Sequence, residues 1–400
     1  MDKASATPSS ASFPYVHSAA AWKAICSFGK MPTASGCSHD WKTDILPPDN
    51  PKLPKMPHSL RPYNTFGIEA DCKELICYHS IDECLTAARH LQSSGLPWLP
   101  IGEGSNILFV NPHYPGTVVH NSITGIYPEE EGLEITLRVG GGEIWDDLVD
   151  YCTGRGWYGL ENLSLIPGTV AASAVQNIGA YGAEAADCIV KVEGVYIPND
   201  HAEAPHEATL LRNECRYGYR SSIFKDELKD IFLVTYVWFR LKKHFVPTLS
   251  HAAIARQLVN EGIEPAKASA KDIRNAVIQI RQQKLPDPKI TGNAGSFFMN
   301  PVVDTTLASR LLTEYPDMPH FNAQTADGRK GVKIPAAWLI EQCGWKGRCL
   351  GRAGVNPLQP LVLTNLGGAT GKDIATLAET IQHAVHERFG ITLHPEVRFV

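Results

Sequence analysis

The chain has 400 residues, 44% of them hydrophobic, and a formal net charge of −5. Such a composition excludes wholesale disorder, and the length suits two or three domains at roughly 150 residues each. The weak acidic balance offers no global field for nucleic acid or an anionic membrane, and no apolar run reaches the ~18 residues of a membrane span.

The first 55 residues stand apart. They hold prolines 8, 14, 32, 47, 48, 51 and 54, lack arginine, and show no sustained periodicity. A segment of this kind cannot offset its ordering entropy, so disorder is expected over 1–55. No apolar core follows Lys3 as a secretory signal requires, and the missing arginines argue against a transit peptide. The stretch also fits upstream sequence ahead of a start at Met56.

From Met56 the chain alternates strand and helix patterns. Asp82 is placed to cap a helix with Leu85, Ala88 and Leu91 on one face, ended by Gly95 and Pro97. Pro97–Ile101 and Asn106–Val110 read as strands on either side of a glycine turn. Ile135–Val139 alternates and runs into Gly140-Gly141-Gly142, and Glu143–Cys152 is helical. Ile231–Leu241 is almost continuously apolar and reads as a central strand. After Pro247 the helical share rises. Ile273, Val277 and Ile280 mark a helix stopped near Pro286, Ala336–Ile340 marks another, and Ile374 to Phe389 marks a long amphipathic helix ended by Gly390. The reading is α+β, with a change of domain near residue 248.

The ten cysteines form no Cys-x-x-Cys pair. Several fall inside apolar helical patterns, as expected of reduced, buried thiols in a cytoplasmic protein. His383 and His386 share a helix face without a third ligand, so no metal is expected.

Several segments can carry chemistry. Gly102-Glu103-Gly104-Ser105-Asn106 could turn backbone N–H groups onto a phosphate, although the residues fit a tight hairpin equally well. Ile166-Pro167-Gly168, then Gln176-Asn177-Ile178-Gly179-Ala180-Tyr181-Gly182, suit a buried polar ligand with a flat ring. Gln176 and Asn177 would be expensive to bury without partners. Cys215 to Lys225 brings Arg220 beside Tyr219, and alone reads as a basic turn. Gly295-Ser296-Phe297-Phe298 places a hydroxyl in a partly apolar setting without a nucleophile elbow. Glu396 near the terminus could act as an acid, orient one, or pair with Arg398.

Taken together, and with Arg61-Pro62-Tyr63-Asn64-Thr65-Phe66-Gly67-Ile68, these segments resemble the UDP-N-acetylenolpyruvoylglucosamine reductase family (UDP-N-acetylmuramate dehydrogenases). The resemblance spans about residues 58–400 and extends to Gly-Asn-Ala-Gly-Ser-Phe-Phe, Leu-Pro-Asp-Pro-Lys and the closing Pro-Glu-Val-Arg-Phe. It implies a vanillyl-alcohol-oxidase/PCMH-like FAD-binding region over 56–247, in two α+β subdomains of about 58–128 and 129–247. A C-terminal α+β substrate-binding domain over 248–400 would follow, its last residues returning to the site. It implies FAD as cofactor, NADPH as co-substrate, and reduction of UDP-N-acetylglucosamine enolpyruvate to UDP-N-acetylmuramate for peptidoglycan. A cytoplasmic monomer that engages neither nucleic acid nor membrane is expected.

The resemblance also carries residues over. Ser296 matches the proton donor, and Arg220 and Glu396 match the pair that stabilises the enolic intermediate. Gly102, Gly104, Ser105, Asn106, Ile166, Pro167, Gly168, Asn177 and Gly179 match the FAD cradle. Tyr219, Lys284, Asn300 and Gln359 match substrate contacts. His251 stands where the family's longer type has a loop tyrosine that closes on the diphosphate. His394 replaces a commonly acidic residue.

Overall fold

The computed structural model describes residues 57–325 and 328–400. The expectation of disorder over 1–55 therefore lies outside the described residues.

Two sheets form the first half. In one, Asp71–Tyr78 and Trp98–Ile101 flank His113–Asn121 in parallel, and His58–Ser59 adds an antiparallel edge. The helix Ile81–Ser94 makes the crossover on this sheet. Its N-cap is Ser80, which accepts from the Glu83 N–H, and Asp82 sits in the first turn instead. Gly95 ends it at φ 62°, a left-handed cap that costs glycine little.

The second sheet is antiparallel, in the order His206–Leu211, Ile189–Tyr196, Phe232–Lys242, Glu134–Gly140, Ile126–Glu131. Phe232–Lys242 is its middle strand, which explains a nearly unbroken apolar run. Trp145, Leu148, Val149 and Cys152 of the helix Trp145–Arg155 pack with Leu137, Val139, Val237 and Phe239 in one buried cluster.

Two further layers follow. The helices Ala252–Asn260 and Ala270–Lys284 share a small core of Ile254, Leu258, Ile273, Val277 and Ile280. Residues 292–400 close a separate core around Phe297, Phe298, Leu339, Ile374, Ile381 and Phe389. Its sheet runs Gly292–Ser296, Val362–Asn365, Ala353–Val355, Cys349–Leu350. Ile374, Leu377, Ile381 and Val385 are buried at helical spacing on Gly371–Phe389, so burying this stripe against the sheet fixes the long helix.

The chain end ties the halves together. Arg398–Phe399 pairs in parallel with Ile107–Leu108, and Arg398 N–H donates to the Asn106 carbonyl at 2.9 Å. The glycine turn at 102–106 is thus no hairpin, because the strands before and after it belong to different sheets. Cys72, Cys84, Cys152, Cys188 and Cys215 are free and buried, whereas Cys77 and Cys349 are exposed. No helix among the described residues is long and apolar enough to cross a membrane.

Candidate active site

Two cavities of about 390 Å³ each meet beside the returning C-terminal strand. Ser105, Asn106, Gln176 and Glu396 line both.

The first cavity is walled by Pro100 to Ile107, Thr169, Ala171, Ala172, Val175, Phe224, Lys225 and Pro395 to Arg398. The loop Gly102–Asn106 is held from outside. A Cβ on Gly104, at φ 63°, would lie 2.0 Å from the Tyr63 carbonyl oxygen, and one on Gly102 would lie 2.8 Å from Thr169 Oγ1. Only glycines permit this packing. Among the described residues the N–H groups of Glu103, Gly104 and Ser105 have no backbone or side-chain acceptor, so the loop offers donors of the kind that receive a phosphate. Small side chains at Ala171 and Ala172 leave flat space beside it. These features fit the pyrophosphate and ring system of FAD.

The second cavity holds the remaining polar groups. Its wall includes Ile166, Pro167, Gly179, Tyr219, Arg220, His251, Lys284, Ser296, Asn300, Gln359 and Glu396. All of the proposed catalytic and substrate residues are thereby brought together. Gly168 and Asn177 line neither cavity. Gly168 N–H donates to Glu103 Oε2 at 2.9 Å. The Asn177 amide is fully buried, donates to Glu184 Oε2 and the Gly218 carbonyl, and accepts from Ala186 N–H. Its side chain braces the turn that carries Gly179. Gly179 itself leaves room for arginine, since a Cβ there would lie 2.7 Å from Arg220 Nη1.

Local folding explains how each side chain arrives. Ser296 follows a bulge: Asn293 pairs with Thr364 and Ser296 with Val362, with Gly295 at φ 67° in the extra position. The bulge re-aims the strand end, leaving Ser296 exposed toward the cavity. Glu396 N–H donates to the Phe297 carbonyl at 2.8 Å, so the C-terminal segment runs alongside the serine strand. Glu396 Oε1 then accepts from Gln176 Nε2 at 2.8 Å and lies 3.2 Å from Arg220 Nε. Arg220 sits at φ 53°, a left-handed conformation costly for a side chain with a Cβ, and its Nη2 donates to the Gly179 carbonyl. Lys225 Nζ donates to Gln176 Oε1 and to the Arg220 carbonyl, both at 2.7 Å. Burial pulls the Lys225 ammonium below its ordinary pKa, while Glu396 opposes the shift.

Cations gather at the other end. Lys284 is the last residue of its helix, and Arg281 stands one turn earlier on the same face. Burial lowers the Arg281 pKa, with Tyr181 opposing; its Nε donates to the Leu165 carbonyl at 3.2 Å. Arg281 was missed in the sequence because an arginine in an amphipathic helix reads as surface. Its spacing from Lys284 was the available signal. His251 caps Ala252–Asn260 by accepting from Ala253 N–H at 3.3 Å, and its ring meets Tyr181 edge-on at 5.2 Å. Burial, then Lys284 and Arg256, lower its pKa. Asn300 Oδ1 accepts from Ala336 N–H at 2.9 Å. Burial raises the Tyr219 hydroxyl, with Arg220 acting the other way.

Comparison with known proteins agrees with this chemistry. Residues 73–200 match the FAD-binding domain family, and 287–400 match the C-terminal domain of UDP-N-acetylenolpyruvoylglucosamine reductase. A UDP-N-acetylenolpyruvoylglucosamine reductase of Bacteroides fragilis is 48% identical over 349 residues, covering 86% of this chain and 99% of the relative. One from Escherichia coli is 42% identical over 345 residues, covering 86% and 96%. The crystal structure of the Thermus caldophilus enzyme superimposes with a TM-score of 0.57 at 22% identity, covering 85% of this chain and 96% of that one. The fold is that of an FAD-binding domain joined to this family's C-terminal domain. The chain belongs to the UDP-N-acetylenolpyruvoylglucosamine reductases, FAD-dependent oxidoreductases of peptidoglycan synthesis that use NADPH.

Proposed function

We propose that the second cavity binds UDP-N-acetylglucosamine enolpyruvate and that Arg220, Glu396 and Ser296 carry its reduction to UDP-N-acetylmuramate. The observation that carries this reading is the Arg220–Glu396 pair, 3.2 Å apart, in one wall with Ser296 and next to the phosphate-ready loop.

FAD, which the Gly102–Asn106 loop would hold, would supply the redox chemistry, relaying a hydride from NADPH to the enolpyruvyl methylene carbon. Negative charge then spreads from the neighbouring carbon onto the substrate carboxylate. Arg220 holds that carboxylate and stabilises the charge as it grows. Glu396 fixes the direction of the guanidinium through its Nε. Ser296 Oγ gives its proton to the neighbouring carbon, which becomes saturated, and the serine is reprotonated from solvent. A positioned acid of this kind is worth roughly 10²–10⁴ in rate. Lys284 and Asn300 hold the UDP portion, with Gln359, His251 and Tyr219 at its edges. The loop Gly102–Asn106 holds FAD in the first cavity, and Ile166 and Pro167, in the wall of the second, face the end of it that meets the substrate. We assign the activity to a monomer working in the cytoplasm.

The experiment is an anaerobic one. Purified protein carrying FAD is mixed with NADPH and then with UDP-N-acetylglucosamine enolpyruvate while flavin absorbance is followed. Bleaching by NADPH and recovery on adding the nucleotide are expected. Bleaching without recovery would move the substrate elsewhere.

A further inference from the structure

We propose that Lys225 is a positioning residue of the reaction, acting through the Gln176 amide to aim Glu396 and Arg220. The inference rests on the catalytic reading above.

A glutamine side chain has one accepting end and one donating end. Lys225 Nζ donates to Gln176 Oε1 at 2.7 Å, and an ammonium can only donate there. The contact fixes the amide one way round and turns Nε2 onto Glu396 Oε1, 2.8 Å away. The same Oε1 faces Arg220 Nε at 3.2 Å. Lys225 also donates to the Arg220 carbonyl at 2.7 Å, at the residue whose φ is 53°. One ammonium thus holds both members of the pair: Glu396 through a side-chain relay, and Arg220 through its strained backbone. With Lys225 removed, only Glu396 holds the amide, and the amide loses the anchor that fixes its position against the carboxylate.

Lys225 also lines the flavin-side cavity, so the rival role is direct contact with FAD. The two roles predict different losses. The test compares Lys225→Met, Gln176→Met and the double variant, all loaded with FAD. Each half-reaction is measured separately by anaerobic mixing, and the dissociation constant of UDP-N-acetylglucosamine enolpyruvate is measured by calorimetry. Lys225→Met is expected to slow reoxidation by the nucleotide about 10- to 100-fold, the effect of losing hydrogen bonds from a charged donor. NADPH reduction should stay within about twofold, and the dissociation constant should change much less than the reoxidation rate, because Arg220 holds the carboxylate in the ground state but meets its added charge only in the transition state. The double variant should be no slower than the worse single one, as required when one residue acts through the other.

Multiplying effects in the double variant would overturn the relay. So would an equal loss of NADPH reduction, or loss of FAD affinity, which would assign Lys225 to the cofactor. Should Lys225→Met fail to fold, Gln176→Glu keeps the Lys225 contact but puts an acceptor against Glu396. Slow reoxidation with normal NADPH reduction is expected there, and unchanged reoxidation would refute the proposal. If wild-type protein itself fails to reoxidise, the substrate assignment fails, not the relay.

Discussion

Glu396 Oε1 lies 3.2 Å from Arg220 Nε, although Glu396 sits just before the returning C-terminal strand and Arg220 in the connection between His206–Leu211 and Phe232–Lys242. Both side chains are largely buried, so each is the other's main charge partner in a wall that faces the cavity. The contact sets the direction of the guanidinium before any substrate arrives. Such preorganisation is where electrostatic catalysis draws its advantage, because no reorganisation is left for the reaction itself.

The pair predicts an order of severity. Arg220→Met removes the positive charge and should slow flavin reoxidation by about 10²–10³-fold. Glu396→Gln keeps an oxygen within reach of Arg220 and Gln176 but lowers its charge, so its loss should be smaller. Both should leave NADPH reduction near wild type. Single-turnover reoxidation rates check this, and a Glu396→Gln loss exceeding that of Arg220→Met would contradict the orienting role.

Ser296→Ala separates proton delivery from everything else. The serine is exposed at a cavity wall, so stability should be unchanged. Reoxidation should fall by about 10²–10⁴-fold with bleaching by NADPH intact. Run in deuterated water, the residual reaction reports whether a solvent proton has taken over.

The fold was readable where the burial pattern is one-sided. The helix ending at Gly390 and the strand Phe232–Lys242 could be placed from apolar spacing alone. Asp82 was the wrong cap because two cap-forming residues, Ser80 and Asp82, stand close together, and only backbone geometry decides between them. The hairpin alternative for 102–106 failed because the partner of Ile107–Leu108 is the chain terminus, a pairing no local window can contain. In the site, Arg220, Ser296 and Glu396 came from resemblance, since each alone reads as an ordinary surface or turn residue. The relay through Gln176 and Lys225 was illegible for a physical reason. It depends on which end of an amide faces which partner, and sequence carries no such information.

Acid sensitivity should follow from the helix N-termini. Asp272, Asp304 and Asp373 have pKa values below the ordinary 3.8: hydrogen bonds from Ser269 hold Asp272 down, Leu307 N–H holds Asp304, and Thr370 N–H holds Asp373. A depressed carboxyl stabilises the folded state above its unfolded pKa, and that contribution is lost as pH falls through the lower folded value. Stability should therefore decline below about pH 4. Asp304→Asn keeps a capping oxygen that does not titrate, so its urea midpoint should fall less between pH 5 and pH 3 than that of wild type. An identical fall in both would remove Asp304 from the acid transition.

Arg274 binds two helices together and predicts a stability defect with little kinetic effect. It pairs with Asp146 at 2.6 Å and Asp150 at 3.1 Å, across the gap between Ala270–Lys284 and Trp145–Arg155. Asp146 Oδ1 also accepts from Leu165 N–H at 2.6 Å, where φ is 59°. Arg274→Met leaves Asp146 without its cation. Because Asp146 is partly exposed, the cost should be about 3 kcal/mol at most, at the low end for a broken buried pair. A lower Tm with nearly normal turnover at 25 °C is expected. An unchanged Tm would show that water replaces the pair without cost.

Gly179→Ala tests whether room for the guanidinium is itself part of the catalytic machinery. The added methyl would lie 2.7 Å from Arg220 Nη1 and 3.0 Å from the Ala183 carbonyl. The carbonyl belongs to the paired turn Gly179–Ala180 with Ala183–Glu184 and cannot retreat far. The arginine must move instead, and it then loses its bond to the Gly179 carbonyl and its alignment on Glu396. A displacement of about 1 Å at a reacting group can cost on the order of 10²-fold. Reoxidation should fall by about that factor, while FAD content and NADPH reduction hold, because neither depends on where Arg220 points. Pairing Gly179→Ala with Arg220→Met sharpens the result. If the methyl acts only by moving the guanidinium, it should cost nothing further once the guanidinium is gone.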